Sequence, residues 1–220
     1  LYSFDGWAGR RVNLDKVPVK GNGQISMTDV ATGKVIYMQS FSSLFQEWKT
    51  TEEATRVRKA FENTFLLPMP ADKAVVKVEL YDFFGNVSAS LNHVVDPSDI
   101  LIKHMKSQPA PHRYLLQSGS PDEKIDVAIV AEGYTAEETE NFYRDAQTAV
   151  DAILAHAPFG EYKDRFNFVA IALESEDSGV SVPREGLWKN TAVGSNYDTF
   201  YSDRYLTTSC VWKMHDALCG

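Results

Sequence analysis

The 220-residue chain has only two cysteines, Cys210 and Cys219. They lie nine residues apart, which is neither a disulfide framework nor a Cys-x-x-Cys metal pair. Histidine is also scarce. His93, His104, His112, His156 and His215 are so far apart that no His-x-x-x-His pair exists, and His-Glu-x-x-His is absent. Gly-x-Ser-x-Gly does not occur, so there is no nucleophile elbow. No run approaches the ~20 apolar residues that cross a bilayer as a helix. Positive charge is in deficit: 22 Lys and Arg stand against 30 Asp and Glu, a net charge of -8. Such a chain lacks the basic footprint that phosphate backbones require, so nucleic acid is excluded as an expected partner. Leu1 in place of an initiator Met predicts a trimmed N-terminus, and no basic segment followed by an apolar one suggests a leader.

The chain does have the composition of a soluble globular protein, with 44% hydrophobic and 24% charged residues. The first half reads as β. Runs at 24–27, 34–39, 75–81 and 87–94 are rich in Val, Ile, Tyr and Phe. They are bounded by the turn signals Gly21-Asn22-Gly23, Thr32-Gly33 and Gly85-Asn86. Phe83-Phe84-Gly85-Asn86 between two such runs predicts a hairpin. The spacing predicts an antiparallel β-sandwich over residues 1–108. Ser107-Gln108-Pro109-Ala110-Pro111 reads as a linker, because two prolines so placed do not fit inside a core element.

Residues 109–220 change character. The run 125–131 is almost wholly apolar, as expected of a parallel strand buried on both faces. Thr135 precedes Glu138 by three residues, a capping box. Phe142, Ala146, Ala149, Val150, Ile153, Leu154 and Ala157 follow at helical spacing, and Pro158 ends the helix. A second apolar run covers 166–173. Together these predict a βαβ unit opening an incomplete α/β domain, with a last helix over 207–218 stopped by Gly220. The overall expectation is an α+β chain of two domains. An α/β domain left incomplete should also present an open sheet edge.

Both strands of a βαβ unit end at one edge, where ligands of open α/β sheets bind. That edge carries Glu132-Gly133-Tyr134 and the acidic stretch Glu174, Glu176 and Asp177. Clustered carboxylates suit acid–base work or a cation, but equally a solvated loop turning at Asp177-Ser178-Gly179. Arg184 and Arg204 suit bidentate binding of a carboxylate, either Asp198 within the fold or one on a substrate. His156 and His215, near helix C-termini, read as dipole partners rather than ligands. A Cys210–His215 dyad would have to form across elements, and a spare thiol is the simpler reading.

Several segments resemble one family. They are Asp126-Val-Ala-Ile-Val-Ala-Glu-Gly-Tyr-Thr135, Pro158-Phe159, Tyr162-Lys-Asp-Arg-Phe-Asn167, Asp177-Ser-Gly-Val-Ser-Val-Pro-Arg184 and Gly194-Ser-Asn-Tyr-Asp-Thr-Phe-Tyr-Ser-Asp-Arg-Tyr-Leu206. They are similar to the M64 family, IgA-peptidase-like zinc metallopeptidases of gut Bacteroidetes and other bacteria. Phe41-Ser-Ser-Leu-Phe-Gln-Glu-Trp48 and Thr50-Thr-Glu-Glu-Ala54 resemble that family's N-terminal β domain. The resemblance implies a zincin-like second domain, a protein or glycoprotein substrate, and a secreted, periplasmic or cell-surface location with a signal segment removed. It also implies zinc, held by a His-Glu-x-x-His helix downstream of the segment resembling 211–218. The family's zinc ligands and catalytic Glu therefore map to no residue here, and this chain alone is expected to bind no zinc and to be inactive. The segments that do map place Asp177, Ser178, Arg184, Asp198, Tyr201, Arg204 and Tyr205 beside the substrate cleft. The alternative reading is a non-catalytic secreted recognition module.

Overall fold

Alternating β-branched and polar residues, interrupted by turns that glycine or aspartate stabilises, build the first half of the chain. The computed structural model describes residues 1–7, 9–17, 19–106 and 109–218. The chain divides into two compact units, Leu1–Ser107 and Gln108–Gly220. Ser107 and Gln108 of the expected linker, and Cys219 and Gly220 at the expected helix stop, lie outside the described residues.

In the first unit a short strand β1 (Tyr2–Ser3) precedes β2 (Gly23–Asp29), β3 (Val35–Phe41), a one-turn helix α1 (Phe45–Trp48), β4 (Ala74–Tyr81), β5 (Val87–Val95) and β6 (Lys103–His104). The main sheet has the order β3-β2-β4-β5 and is antiparallel throughout, while β1 and β6 form a separate parallel pair. The β2–β3 turn is closed by Asp29, whose Oδ1 accepts from the Thr32 N–H at 2.7 Å. The β4–β5 hairpin falls where Gly85-Asn86 placed it. Asp82 Oδ1 accepts from the Phe84 and Asn86 N–H groups at 2.9 and 2.8 Å.

One sheet face carries the core: Ile25, Met27, Tyr37, Ala74, Val76 and Val95. Here the expected sandwich is corrected. Among the described residues of this unit the other sheet is the two-residue parallel pair β1–β6, not a second antiparallel sheet. Trp7, Leu14, Phe65 and Leu67, all outside strands, pack on the core instead. The reason lies in Pro68 and Pro70, which remove ladder donors from the stretch whose aromatic residues cover the sheet.

The second unit contains β7 (His112–Gln117), β8 (Ile125–Val130), α2 (Thr139–Leu154), β9 (Phe166–Ile171), β10 (Ser195–Asn196), β11 (Thr207–Thr208) and α3 (Val211–Leu218). β8, α2 and β9 form the expected βαβ unit, with β8 and β9 parallel. β7 has no counterpart in the sequence reading; it pairs antiparallel with β9 and makes the order β7-β9-β8. β8 therefore sits at an edge rather than buried on both faces: Ile125 is 57% exposed, and Asp126 and Ala128 are open. The central strand is β9, with Asn167, Phe168 and Ala170 buried.

Asn167 sits in that interior fully hydrogen-bonded. Its Oδ1 accepts from the Ser118 and Gly119 N–H groups at 2.8 and 3.2 Å. Its Nδ2 donates to the Gly119 carbonyl at 3.1 Å and to Asp126 Oδ1 at 2.8 Å. Thr135 and Glu138 form the capping box, with the Thr135 N–H donating to Glu138 Oε2 at 3.0 Å. The helix beyond it buries Phe142, Tyr143, Ala146 and Val150, whereas Ala149 and Ile153 of the expected stripe face outward. Burying side chains as large as Phe142 or Val150 is worth about 1.5–3 kcal/mol each. The expected helix over 207–218 begins only at Val211. The β-branched pair Thr207–Thr208 instead joins Ser195–Asn196 in an antiparallel ladder.

Candidate functional site

Because β8 and β9 run parallel, their carboxyl ends share one edge, and the segments leaving them interlock there. The Gly133 and Ala192 N–H groups both donate to Ser175 Oγ, at 3.0 Å each. The Ser175 N–H donates to the Tyr134 carbonyl at 2.9 Å, and the Gly179 N–H to the Gly133 carbonyl at 2.8 Å. Gly133 has φ +75°, and a Cβ there would lie 2.5 Å from the Gly179 carbonyl oxygen. Only glycine allows these two backbones to approach so closely.

Glu132, the first residue beyond Ala131 at the end of β8, organises the next segment. Its Oε1 accepts from the Thr191 hydroxyl at 2.5 Å, the Ser195 hydroxyl at 2.6 Å and the Ser195 N–H at 2.8 Å. Its Oε2 accepts from the Val193 N–H at 2.9 Å. Burial pushes the carboxyl up, but these four hydrogen bonds outweigh it and hold the group below its ordinary value. A carboxylate so fully engaged anchors a loop rather than taking a proton from a substrate.

Of the other acidic residues of the edge, Glu174 is exposed, whereas Glu176 and Asp177 are bound to the loops. Asp177 Oδ2 accepts from the Asn190 N–H at 2.7 Å, and Glu176 Oε2 from Asn190 Nδ2 at 2.6 Å. The Ser178 hydroxyl donates to Glu138 Oε1 at 2.8 Å, which ties the turn to the capping box of α2. The arrangement is the turning loop of the sequence reading rather than an acid–base cluster.

Arg184 and Asp198 do meet. The Arg184 N–H donates to Asp198 Oδ2 at 2.9 Å, and Nε lies 3.5 Å from Oδ1. The guanidinium also reaches Asp203 Oδ2 at 3.1 Å. The hydrogen bond to Asp203 and the charge of Asp198 raise the Arg184 pKa above its ordinary value. Arg184 thus holds carboxylates of its own chain. Arg204 stands apart from this group and lies 5.1 Å from the centre of the Tyr205 ring. Tyr201 is 80% exposed. Asp198, Phe200 and Tyr201 adopt φ values of 62, 56 and 65°. That region is costly for bulky residues, and such strain gathers where a loop must present side chains in a set direction.

The seven candidate residues therefore fall into separate groups. Asp177 and Ser178 brace the turn, Arg184 and Asp198 form an ion pair, and Tyr201, Arg204 and Tyr205 belong to the strained outer segment. Ser175, Asp203 and Asn190 carry connections and have no counterpart among the candidates, while Glu132, expected only as one carboxylate of the edge, is the main anchor. Glu132 had one signal in the sequence, a carboxylate directly after an apolar strand and before a glycine. No three His, Cys, Asp or Glu residues among those described could hold a metal ion, so the zinc implied by the resemblance does not fit these residues. His156 Nδ1 lies 2.8 Å from the Ala152 carbonyl, which gives that ring a helix-terminal role.

Two family profiles match the chain. The profile described as Peptidase M64 N-terminus matches residues 1–92, and that described as IgA Peptidase M64 matches residues 114–218. Each match falls within one of the two units. No curated protein matches the chain. With one family's two profiles lying in order along the sequence, the chain belongs to the M64 peptidase family.

Proposed function

We propose a peptidase-type function on protein or glycoprotein substrates, with the loops at the carboxyl edge of β8 and β9 forming one wall of the substrate cleft. The observation that supports it most is the interlock of Glu132, Ser175 and Gly179 with residues 133 and 191–195. It ties residues 191–195, which lead into the strained 198–201 segment, to the strand-end edge, and ligands of open α/β sheets bind at such edges. In this reading Tyr201, Arg204 and Tyr205 face substrate, whereas Arg184, Asp198, Asp177 and Ser178 hold the wall in shape.

The resemblance would have zinc supply the Lewis acid and the activated water of such a reaction. The described residues do not fit that ion. A second reading, favoured by the lack of a metal-holding group among the described residues, is binding without turnover, a recognition role in a secreted, periplasmic or cell-surface setting. The test incubates the chain with casein and with a heavily glycosylated protein, with and without added zinc, and follows cleavage by mass spectrometry and association by light scattering. Association weakened by Tyr201→Ala, with no new termini, is expected. Zinc-dependent cleavage would overturn the binding-only reading, and association indifferent to Tyr201 would remove that residue from the wall.

A further inference from the structure

The main sheet of the first unit ends in β3 on one side and β5 on the other. β3 is covered by the chain itself. The Met38 N–H donates to the Leu14 carbonyl at 2.7 Å, and the Met38 carbonyl accepts from the Arg10 guanidinium. The stretch before β2 thus occupies the outer side of β3. Among the described residues, no backbone group pairs with the outer side of β5. Every residue of β5 from Val87 to Val94 is exposed.

An open edge strand is a template for pairing, and proteins that must stay apart blunt it with charge or proline. β5 reads Val-Ser-Ala-Ser-Leu-Asn-His-Val-Val and contains no Asp, Glu, Lys, Arg or Pro. The irregularity in its ladder with β4 falls between Val87 and Ala89, so residues 89–95 are regularly paired. Leu91 stands opposite Val78, which packs on the core, and so lies on the core face, yet it is 67% exposed. Large apolar residues are also open beyond both ends of the strand. Phe83 and Phe84 in the hairpin turn, and Ile100 and Leu101 past the far end, are each at least 78% exposed.

We propose that β5 pairs antiparallel with β5 of a second copy of this chain, about a two-fold axis at Leu91. The strand's complementarity to itself selects a second copy as the occupant. Leu91 faces Leu91 of the other copy on the core side, Ala89 faces His93, and on the opposite side Ser90 faces Asn92. A two-fold axis sets the residue at its centre against itself, so a charge there would meet a like charge; this strand has none to meet. The same axis carries the Phe83-Phe84 end of one copy to the Ile100-Leu101 end of the other, and these open apolar groups then cover one another. The two sheets join into one, with both core faces on the same side. The interface belongs to the first unit and stands whether or not the second unit cleaves peptide bonds.

The test is sedimentation of the full chain over a range of concentrations, together with hydrogen exchange of its backbone amides. A monomer–dimer equilibrium in the micromolar range is expected. The outward amides of residues 88–94 should gain protection as concentration rises, while that of Met38 should not change. Leu91→Lys and Leu91→Glu each set like charges face to face and should weaken the dimer by about tenfold or more. An equimolar mixture of the two variants should dimerise again, because residue 91 meets itself across the axis. That recovery also separates loss of pairing from loss of fold. Four results would overturn the proposal: a monomer at every concentration up to about 1 mM, a dimer that neither substitution weakens, a mixture that stays monomeric, or outward β5 amides whose protection does not depend on concentration.

Discussion

In the first unit, the two outer ladders of the main sheet are closed by short turns, β2 into β3 through the Asp29 turn and β4 into β5 through the Asp82 turn, and the central β2–β4 ladder joins these hairpins across a long stretch of chain. In the second unit the last strand of the three-stranded sheet, β9, lies at its centre, and each of its partners precedes it by a long stretch of chain. The first sheet is thus built from two hairpins that can close locally and one long-range ladder between them. The second has no local ladder: both β7 and β8 must wait for β9. Damage should therefore spread differently in the two units.

The largest effect is expected from Phe168→Ala, at the centre of β9, where the native residue is only 2% exposed. It should cost about 3–5 kcal/mol and lower only the second of two urea transitions. If both transitions moved together, the units would not be separate folding entities and the contrast would fail.

Next in size is Glu132→Gln, which leaves donors of residues 191–195 facing an amide and should cost about 1–3 kcal/mol. The same carboxylate gives the second unit an acid sensitivity. Its folded-state pKa lies below the ordinary 4.5, so its stabilisation is complete above that value and is lost as pH falls through the lowered one. In the first unit, Asp96 is held at about 2 by the Ser98 hydroxyl and Lys73, so its contribution survives to far lower pH. An acid titration followed by tryptophan and tyrosine fluorescence should show the wild-type strand-end loops loosening first, and Glu132→Gln should abolish that step.

The smallest effect is expected from Arg184→Ala. Its pairs with Asp198 and Asp203 are exposed on the arginine side, so the denaturation midpoint should move little. A large drop would mean that the ion pair, rather than Glu132, holds the outer loop.

How legible these features were in the sequence follows the same contrast. The hairpin at residues 82–86 and the capping box at Thr135 and Glu138 were readable because their chemistry is complete within five residues. β7 was not, because His112, Arg113 and Gln117 dilute its apolar positions, and its identity depends on β9 some fifty residues later. β8 was readable as a strand but not as an edge, since an apolar run does not report how many neighbours it has. At the site, the pairing of Arg184 with Asp198 was legible as charge complementarity. The four-donor cradle of Glu132 was not, because all of its donors are backbone N–H groups or hydroxyls with no charge to announce them.

Asn167 adds a consequence for how the second sheet assembles. A slide of β9 along β8 by two residues would keep every apolar side chain on its proper face, so hydrophobicity alone tolerates that error. The slide would, however, pull the Asn167 amide away from Ser118, Gly119 and Asp126 and strand its polar atoms in an apolar layer, at about 1–3 kcal/mol for each group left unmatched. One buried amide thus serves as an alignment key: it proofreads the position of a strand that oily contacts alone would leave free to settle in the wrong notch.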